Sequence, residues 1–214
     1  MNKTIRGRVI IYLMGIFFMS LGVGLSIHAD LGVSPVSSLA YAISLVTGFT
    51  VGSITILTHF IYIGLQIVIS KRIDFKNILV QLLIAFLFGF FIDSSLFLVR
   101  RFIPVPATLL LRWFYLLISL VVVAIGLTGY TNMDFTLMPY DELTHVISNH
   151  YNISYGRARV IGDLSNVLLA LAIGFIFLTF WGSVGLGTII AAVVVGRMVN
   201  ILLRINEKYQ FIIL

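Results

Sequence analysis

Few residues in this chain could do chemistry, and they are unevenly placed. Of 214 residues, 14 are Lys or Arg, 8 are Asp or Glu, and none is Cys. The densest group runs from Pro139 to Arg159 and holds Asp141, Glu142, His145, Asn149, His150, Arg157 and Arg159. Asp141 and His145 are four residues apart and share one face of a helix. Glu142 and Asn149 fall on a neighbouring stripe. A helix opened by Pro139 would point its N-terminus, with Arg157, at an anionic group. Asp141, Glu142 and His145 would accept a cationic or hydroxyl group. An amphoteric or polar organic solute suits that set. The plainer reading is that Asp141 and Glu142 complement the dipole of the first helical turn on a solvated face.

Four further groups stand alone inside apolar runs: His59, Asp93, Asp163 and Arg197. A charge at the centre of a bilayer costs about 2.5–3.5 kcal/mol on insertion scales, so each needs a partner or an aqueous cavity. The spacing of Arg159 and Asp163 predicts an ordinary i, i+4 ion pair. Ser37 and Ser38 lie just after Pro35 and either bind a solute or close onto their own backbone.

Other chemistry is missing. Without cysteine there is no disulfide, thiol nucleophile or cysteine-held metal. There is no His-Glu-x-x-His, and His145 and His150 point to different helical faces. Gly182, Gly185 and Gly187 separate two apolar runs and do not follow a strand, so they make no nucleotide cradle. No catalytic residues, metal or cofactor are expected, and the chain is not read as an enzyme.

The elements that must position these residues are membrane helices. Apolar residues make up 60% of the chain and charged residues 10%, against about 25% charged in soluble domains. A bilayer core needs roughly 20 apolar residues per helix. Six runs qualify, at about 9–28, 51–70, 77–98, 109–130, 157–179 and 184–203, with the last two parted at Trp181-Gly-Ser-Val-Gly-Leu-Gly187. The first lacks a small-x-small cleavage site and reads as an uncleaved span. Ser34–Thr47 and Pro139–Tyr151 are too short to cross upright; each opens on a proline, which the first helical turn tolerates. They read as re-entrant helices or short spans. The fold class is therefore all-α: a polytopic membrane protein with six full spans and two short proline-led helices. The net charge of +6 is an orientation and headgroup signal, not a nucleic-acid footprint.

A shift of 104 residues aligns the chain with itself. Gly22 meets Gly126, Asp30 meets Asp134, Pro35 meets Pro139, Gly52 meets Gly156, and Arg8 meets Arg112. Two repeats follow, 1–104 and 105–214, within one membrane domain. In that register His59 takes the place of Asp163 and Asp93 that of Arg197, suggesting two pairs across a pseudo-two-fold axis. The His59 and Asp163 pair suits proton coupling. Asp93 with Arg197 suits a structural pair. If the short helices are re-entrant the repeats are inverted; if they cross, the repeats are parallel. Both arrangements leave ten basic residues inside and three outside, so the positive-inside rule does not choose. Both put the N-terminus in the cytoplasm.

Asp30-Leu-Gly-Val-Ser-Pro-Val-Ser-Ser38 with Thr47-Gly-Phe-Thr-Val-Gly52 resembles the first-half signature of the bacterial YczE/YyaS/YitT-type membrane proteins. Pro139-Tyr-Asp-Glu142, then Arg157, Arg159 and Asp163, then Gly182-Ser-Val-Gly-Leu-Gly-Thr188, resemble its second half. The first half departs from the pattern, since Val36, Ser37 and Ser38 are uncharged where an acidic or polar residue is common. The resemblance implies a short form without a soluble C-terminal domain, in the bacterial inner membrane.

The expectation is a small permease for a polar solute, with proton coupling as an option. Its substrate-binding residues would be Asp141, Glu142, His145, Arg157, Ser37 and Ser38, between the two repeats. Its coupling or paired residues would be His59, Asp163, Asp93 and Arg197. The alternative is a non-transporting regulatory or scaffold protein. The partners expected are the bilayer and a polar small molecule, with a homodimer allowed and no nucleic acid.

Overall fold

The computed structural model of the chain describes residues 5–133, 135–178 and 182–209, with side chains as far as residue 205. Lys3, Asp134, Trp181 and the Lys208 side chain lie outside the described residues. The described chain is all helical: α1 (Ile5–Ala29), α2 (Pro35–Thr47), α3 (Val51–Ser70), α4 (Phe75–Phe102), α5 (Leu109–Thr131), α6 (Pro139–His150), α7 (Tyr155–Ile173) and α8 (Leu186–Tyr209). A π-helical turn, Gly174–Leu178, extends α7. Six of these segments are long and apolar enough to cross a membrane: α1, α3, α4, α5, α7 with its π-turn, and α8. This is a multi-pass membrane protein with a lipid-facing surface. The exposed side chains of Phe86, Phe90 and Leu83, each more than half accessible, fit that surface.

Helix ends follow their sequence cues. Thr50, Thr108 and Ser154 cap α3, α5 and α7 by accepting the N–H of Ser53, Leu111 and Arg157. Such caps satisfy one of the four donors a helix leaves open at its start. Pro139 occupies the first turn of α6, with Asp141 and Glu142 beside it. α2 and α6 end alike: Ser44 and Ser148 donate to the carbonyls of Phe49 and Ile153, both at 2.7 Å. Gly48 and Asn152, which follow these helices, both take left-handed backbone, at φ 74° and 51°.

The chain folds into two compact units, each drawing on both halves of the sequence. The first holds residues 1–34, 91–135 and 185–214. In it α1 packs against α5 through glycine. A Cβ on Gly15 would lie 2.8 Å from the Gly126 carbonyl oxygen, and one on Gly126 would lie 2.7 Å from the Gly15 carbonyl oxygen. Gly22 meets Ser119 and Val123 in the same way. Contacts running from 15 with 126 to 22 with 119 make the two helices antiparallel. Small residues let helix backbones approach where apolar burial gives no drive between helices in lipid. Polar contacts tie both ends: Arg112 pairs with Asp30 at 2.7 Å, and the Arg8 guanidinium donates to the Met133 carbonyl.

The second unit holds residues 35–90 and 136–184. There α6 runs antiparallel to α7. Its proline end meets Gly162 and Asp163, and its middle brings the His145 ring within 4.4 Å of the Tyr155 ring, centroid to centroid. α6 therefore starts beside the middle of α7 and runs past its first turn. α2 packs on the other end of α7, where Ala42, Ala170 and Val184 cluster.

Candidate functional site

The polar residues of the second unit converge where the proline end of α6 meets α3 and α7. Gly162 makes room for this approach, since a Cβ there would sit 2.9 Å from the Tyr140 hydroxyl. That hydroxyl donates to Asp163 Oδ1 at 2.5 Å. The Tyr140 ring packs on Tyr62, with centroids 5.5 Å apart, and the Tyr62 hydroxyl donates to Asn166 Oδ1 at 2.9 Å. Asp163 and Asn166 are three apart on α7 and share a face. The four side chains close a ring through three helices. Burial first, and the neighbouring Asp163 second, hold the Tyr140 phenol well above the ordinary tyrosine range, so it remains a donor.

One turn earlier on α7, Arg159 donates to Asp141 Oδ1 at 2.6 Å and to the Tyr155 hydroxyl at 3.1 Å. Its guanidinium lies over the Tyr140 ring, 5.6 Å from the centroid. Asp141 is only 5% exposed, and a carboxyl so buried requires this partner. On α3, Gln66 and Gln81 of α4 exchange amide hydrogen bonds at 3.0 and 3.1 Å, and Gln66 also donates to the Pro139 carbonyl at 2.8 Å. The bonds pin the proline end of α6.

This arrangement departs from the sequence expectations in several places. Arg159 pairs with Asp141 on α6, not with Asp163 on its own helix, whose Oδ1 is taken by Tyr140. The cation beside Asp141 is thus Arg159, whereas Arg157 is exposed. His145 is exposed and stacks on Tyr155, and Glu142 is half-buried at the edge. His59 and Asp163 have separate partners: the His59 ring bonds the Thr55 carbonyl through Nδ1 at 2.8 Å and packs on Tyr62 and Phe88. Ser38 turns onto the Pro35 carbonyl at 2.7 Å, the backbone-bound alternative. Ser37 is buried beside it. In the first unit Asp93 is half-buried on α4 and Arg197 is exposed on α8.

Tyr62, Tyr140, Asn166, Gln66 and Gln81 did not stand out as site residues in the sequence. A signal existed: Gln66, Gln81 and Asn166 are amides inside apolar spans, where an unpaired polar group is costly. Tyr62 and Asn166 are also 104 residues apart, the same shift that aligns the two halves.

Residues 6–204 match the model of a family of unknown function, DUF6198. The chain belongs to that family. It has bacterial relatives of similar length. It is 31% identical over 200 residues to the uncharacterized protein YyaS of Bacillus subtilis, covering 92% of this chain and 93% of that one. It is 24% identical over 202 residues to an uncharacterized protein of Haemophilus influenzae, covering 94% and 86%. The YyaS match agrees with the resemblance carried by the Pro-x-Asp and glycine-turn elements. No solved structure matches the chain.

Proposed function

We propose that this DUF6198 protein is a small inner-membrane permease for a polar solute. The observation that carries the proposal is the set of charged and amide groups gathered against the proline end of α6, a helix outside the six candidate spans. Intramembrane ionisable groups mark solute or ion paths in most membrane proteins that have them. Short or broken helices in matching halves mark the site in many secondary transporters.

The proposed architecture is two inverted halves, 1–104 and 105–214. The antiparallel packing of α1 and α5 supports it. Two antiparallel spans are separated by an even number of crossings, and α3 and α4 already supply two. α2 then returns to the face it left, and α6 does the same in the second half. The matched caps and matched left-handed residues after α2 and α6 support the duplication. This orientation puts Lys71, Arg72, Arg157 and Arg159 on the cytoplasmic side with the N-terminus, and Arg100, Arg101 and Arg112 outside.

The test is uptake by proteoliposomes against a panel of labelled amino acids, polyamines and sugars. Saturable uptake lost in Asp163→Asn and Asp141→Asn is expected. Wild-type uptake in both variants would remove the site. One observation favours the second reading, a non-transporting regulatory or scaffold protein: Asp141 and Arg159 already satisfy one another's charge. Protein that passes no member of the panel would support that reading.

A further inference from the structure

The ring of Asp163, Tyr140, Tyr62 and Asn166 is incomplete in two places. Asp163 takes one hydrogen bond, at Oδ1, and its second oxygen has no partner among the described residues. Asn166 is 4% exposed, its Oδ1 is held by Tyr62, and its Nδ2 is buried without an acceptor. Turning the amide over would not cure this, because one of its two polar atoms would still lack a partner. A buried donor left unmade costs about 1–3 kcal/mol, so such groups in native proteins call for an explanation.

Charge gives a second, independent indication. Two carboxyls and one guanidinium meet here. Arg159 is bound to Asp141 at 2.6 Å and to Tyr155, and no basic side chain reaches Asp163 within ion-pair distance among the described residues. The groups facing Asp163 are Tyr140 and Asp141 from α6, Tyr62 from α3, and Arg159 and Tyr155 from its own helix. A cation is the missing charge. The free acceptor and the free donor lie three residues apart on one helical face, with side-chain origins roughly 5–6 Å apart.

Resting on the permease reading of the same site, we propose that this ring binds the amino-bearing end of a zwitterionic small molecule. Its ammonium group docks on Asp163 and its acceptor oxygen on Asn166. The class is one carrying a protonated amine and an oxygen acceptor a few bonds away, as an α-amino carboxylate does.

The probes are glycine, ethylammonium, acetamide and acetate, titrated calorimetrically into purified full-length protein in detergent up to their solubility limits. Glycine is expected to bind tightest, ethylammonium at least tenfold more weakly, and acetate and acetamide not at all. Asp163→Asn keeps an oxygen for Tyr140 and should weaken glycine at least tenfold with an unchanged melting temperature. Asn166→Leu should bring glycine down to the level of ethylammonium. Binding of acetate in preference to ethylammonium, no saturable heat from either amine, or unchanged glycine affinity in Asp163→Asn overturns the proposal. Proteoliposome flux separates the two readings. Glycine binding without uptake of any solute leaves this inference and removes the permease. Uptake confined to anions does the reverse.

Discussion

Replacing Arg159 by methionine should destabilise the protein more than any other single change in the polar cluster. The Arg159 to Asp141 contact is 2.6 Å long, and the two side chains are 28% and 7% exposed. Removing one partner of a buried pair costs about 3–5 kcal/mol, because the other charge stays buried and unmatched. Arg159 keeps some access to the surroundings, which places Arg159→Met near the lower end, about 3 kcal/mol. At roughly 2–4 °C per kcal/mol for a chain of this size, the melting temperature should fall by about 6–12 °C. Asp141→Asn should cost less, since the freed guanidinium retains the Tyr155 hydroxyl and its partial exposure. The double variant should be more stable than Arg159→Met alone, with a coupling energy of at least about 1 kcal/mol. Thermal unfolding of the four proteins in one detergent gives the cycle. Simple additivity of the two single losses would refute the pairing and the inference that Arg159 is engaged by Asp141.

Three other expectations concern packing. Gly126→Leu should weaken the contact of α1 with α5, because even a Cβ there meets the Met19 amide nitrogen at 2.5 Å; overpacking of this kind costs about 1–3 kcal/mol. Gly64→Ala, in α3 with nothing within 4 Å, should instead gain up to about 1 kcal/mol from helix propensity, as melting in detergent would record. Gly162→Ala should push the Tyr140 hydroxyl off Asp163, since the new carbon would stand 2.9 Å from it. Solute affinity should then fall while Gly156→Ala, in open space, leaves it unchanged.

The membrane helices were legible because apolar run length is a direct physical requirement of the bilayer. With α7 counted to the end of its π-turn, five of the six spans begin and end within about four residues of the expected limits, α4 reaching Phe102 through Arg100 and Arg101, and α8 runs longer, to Tyr209. The short helices were legible through Pro35 and Pro139, which fit a first turn and little else. The π-turn after Ile173 left no mark, since Gly174-Phe-Ile-Phe-Leu178 reads as more apolar helix. At the site, composition pointed to the right segment but not to the right partners. Arg157 and Arg159 are equivalent in type and both open α7; a rotation of about 200° around the helix separates them, and only the packing of α6 on α7 decides which turns inward. Asp163 was legible as an intramembrane charge, but its partner is a tyrosine from another helix, which no spacing along α7 could reveal. Tyr62 is an ordinary residue in an apolar run, and its meeting with Asn166 depends on how α3, α6 and α7 pack together.

Cysteine accessibility across the two short helices tests most directly whether the proline ends of α2 and α6 turn back within the membrane. The chain has no native cysteine, so Asp30→Cys, Phe49→Cys, Thr131→Cys and Tyr151→Cys, all at exposed positions, can each be labelled alone by an impermeant maleimide in intact cells. Labelling of Asp30→Cys and Phe49→Cys from outside, with Thr131→Cys and Tyr151→Cys reached only after lysis, is the expected result. If Asp30→Cys and Phe49→Cys label from opposite faces, α2 crosses the membrane, and the inverted arrangement that carries the site is wrong.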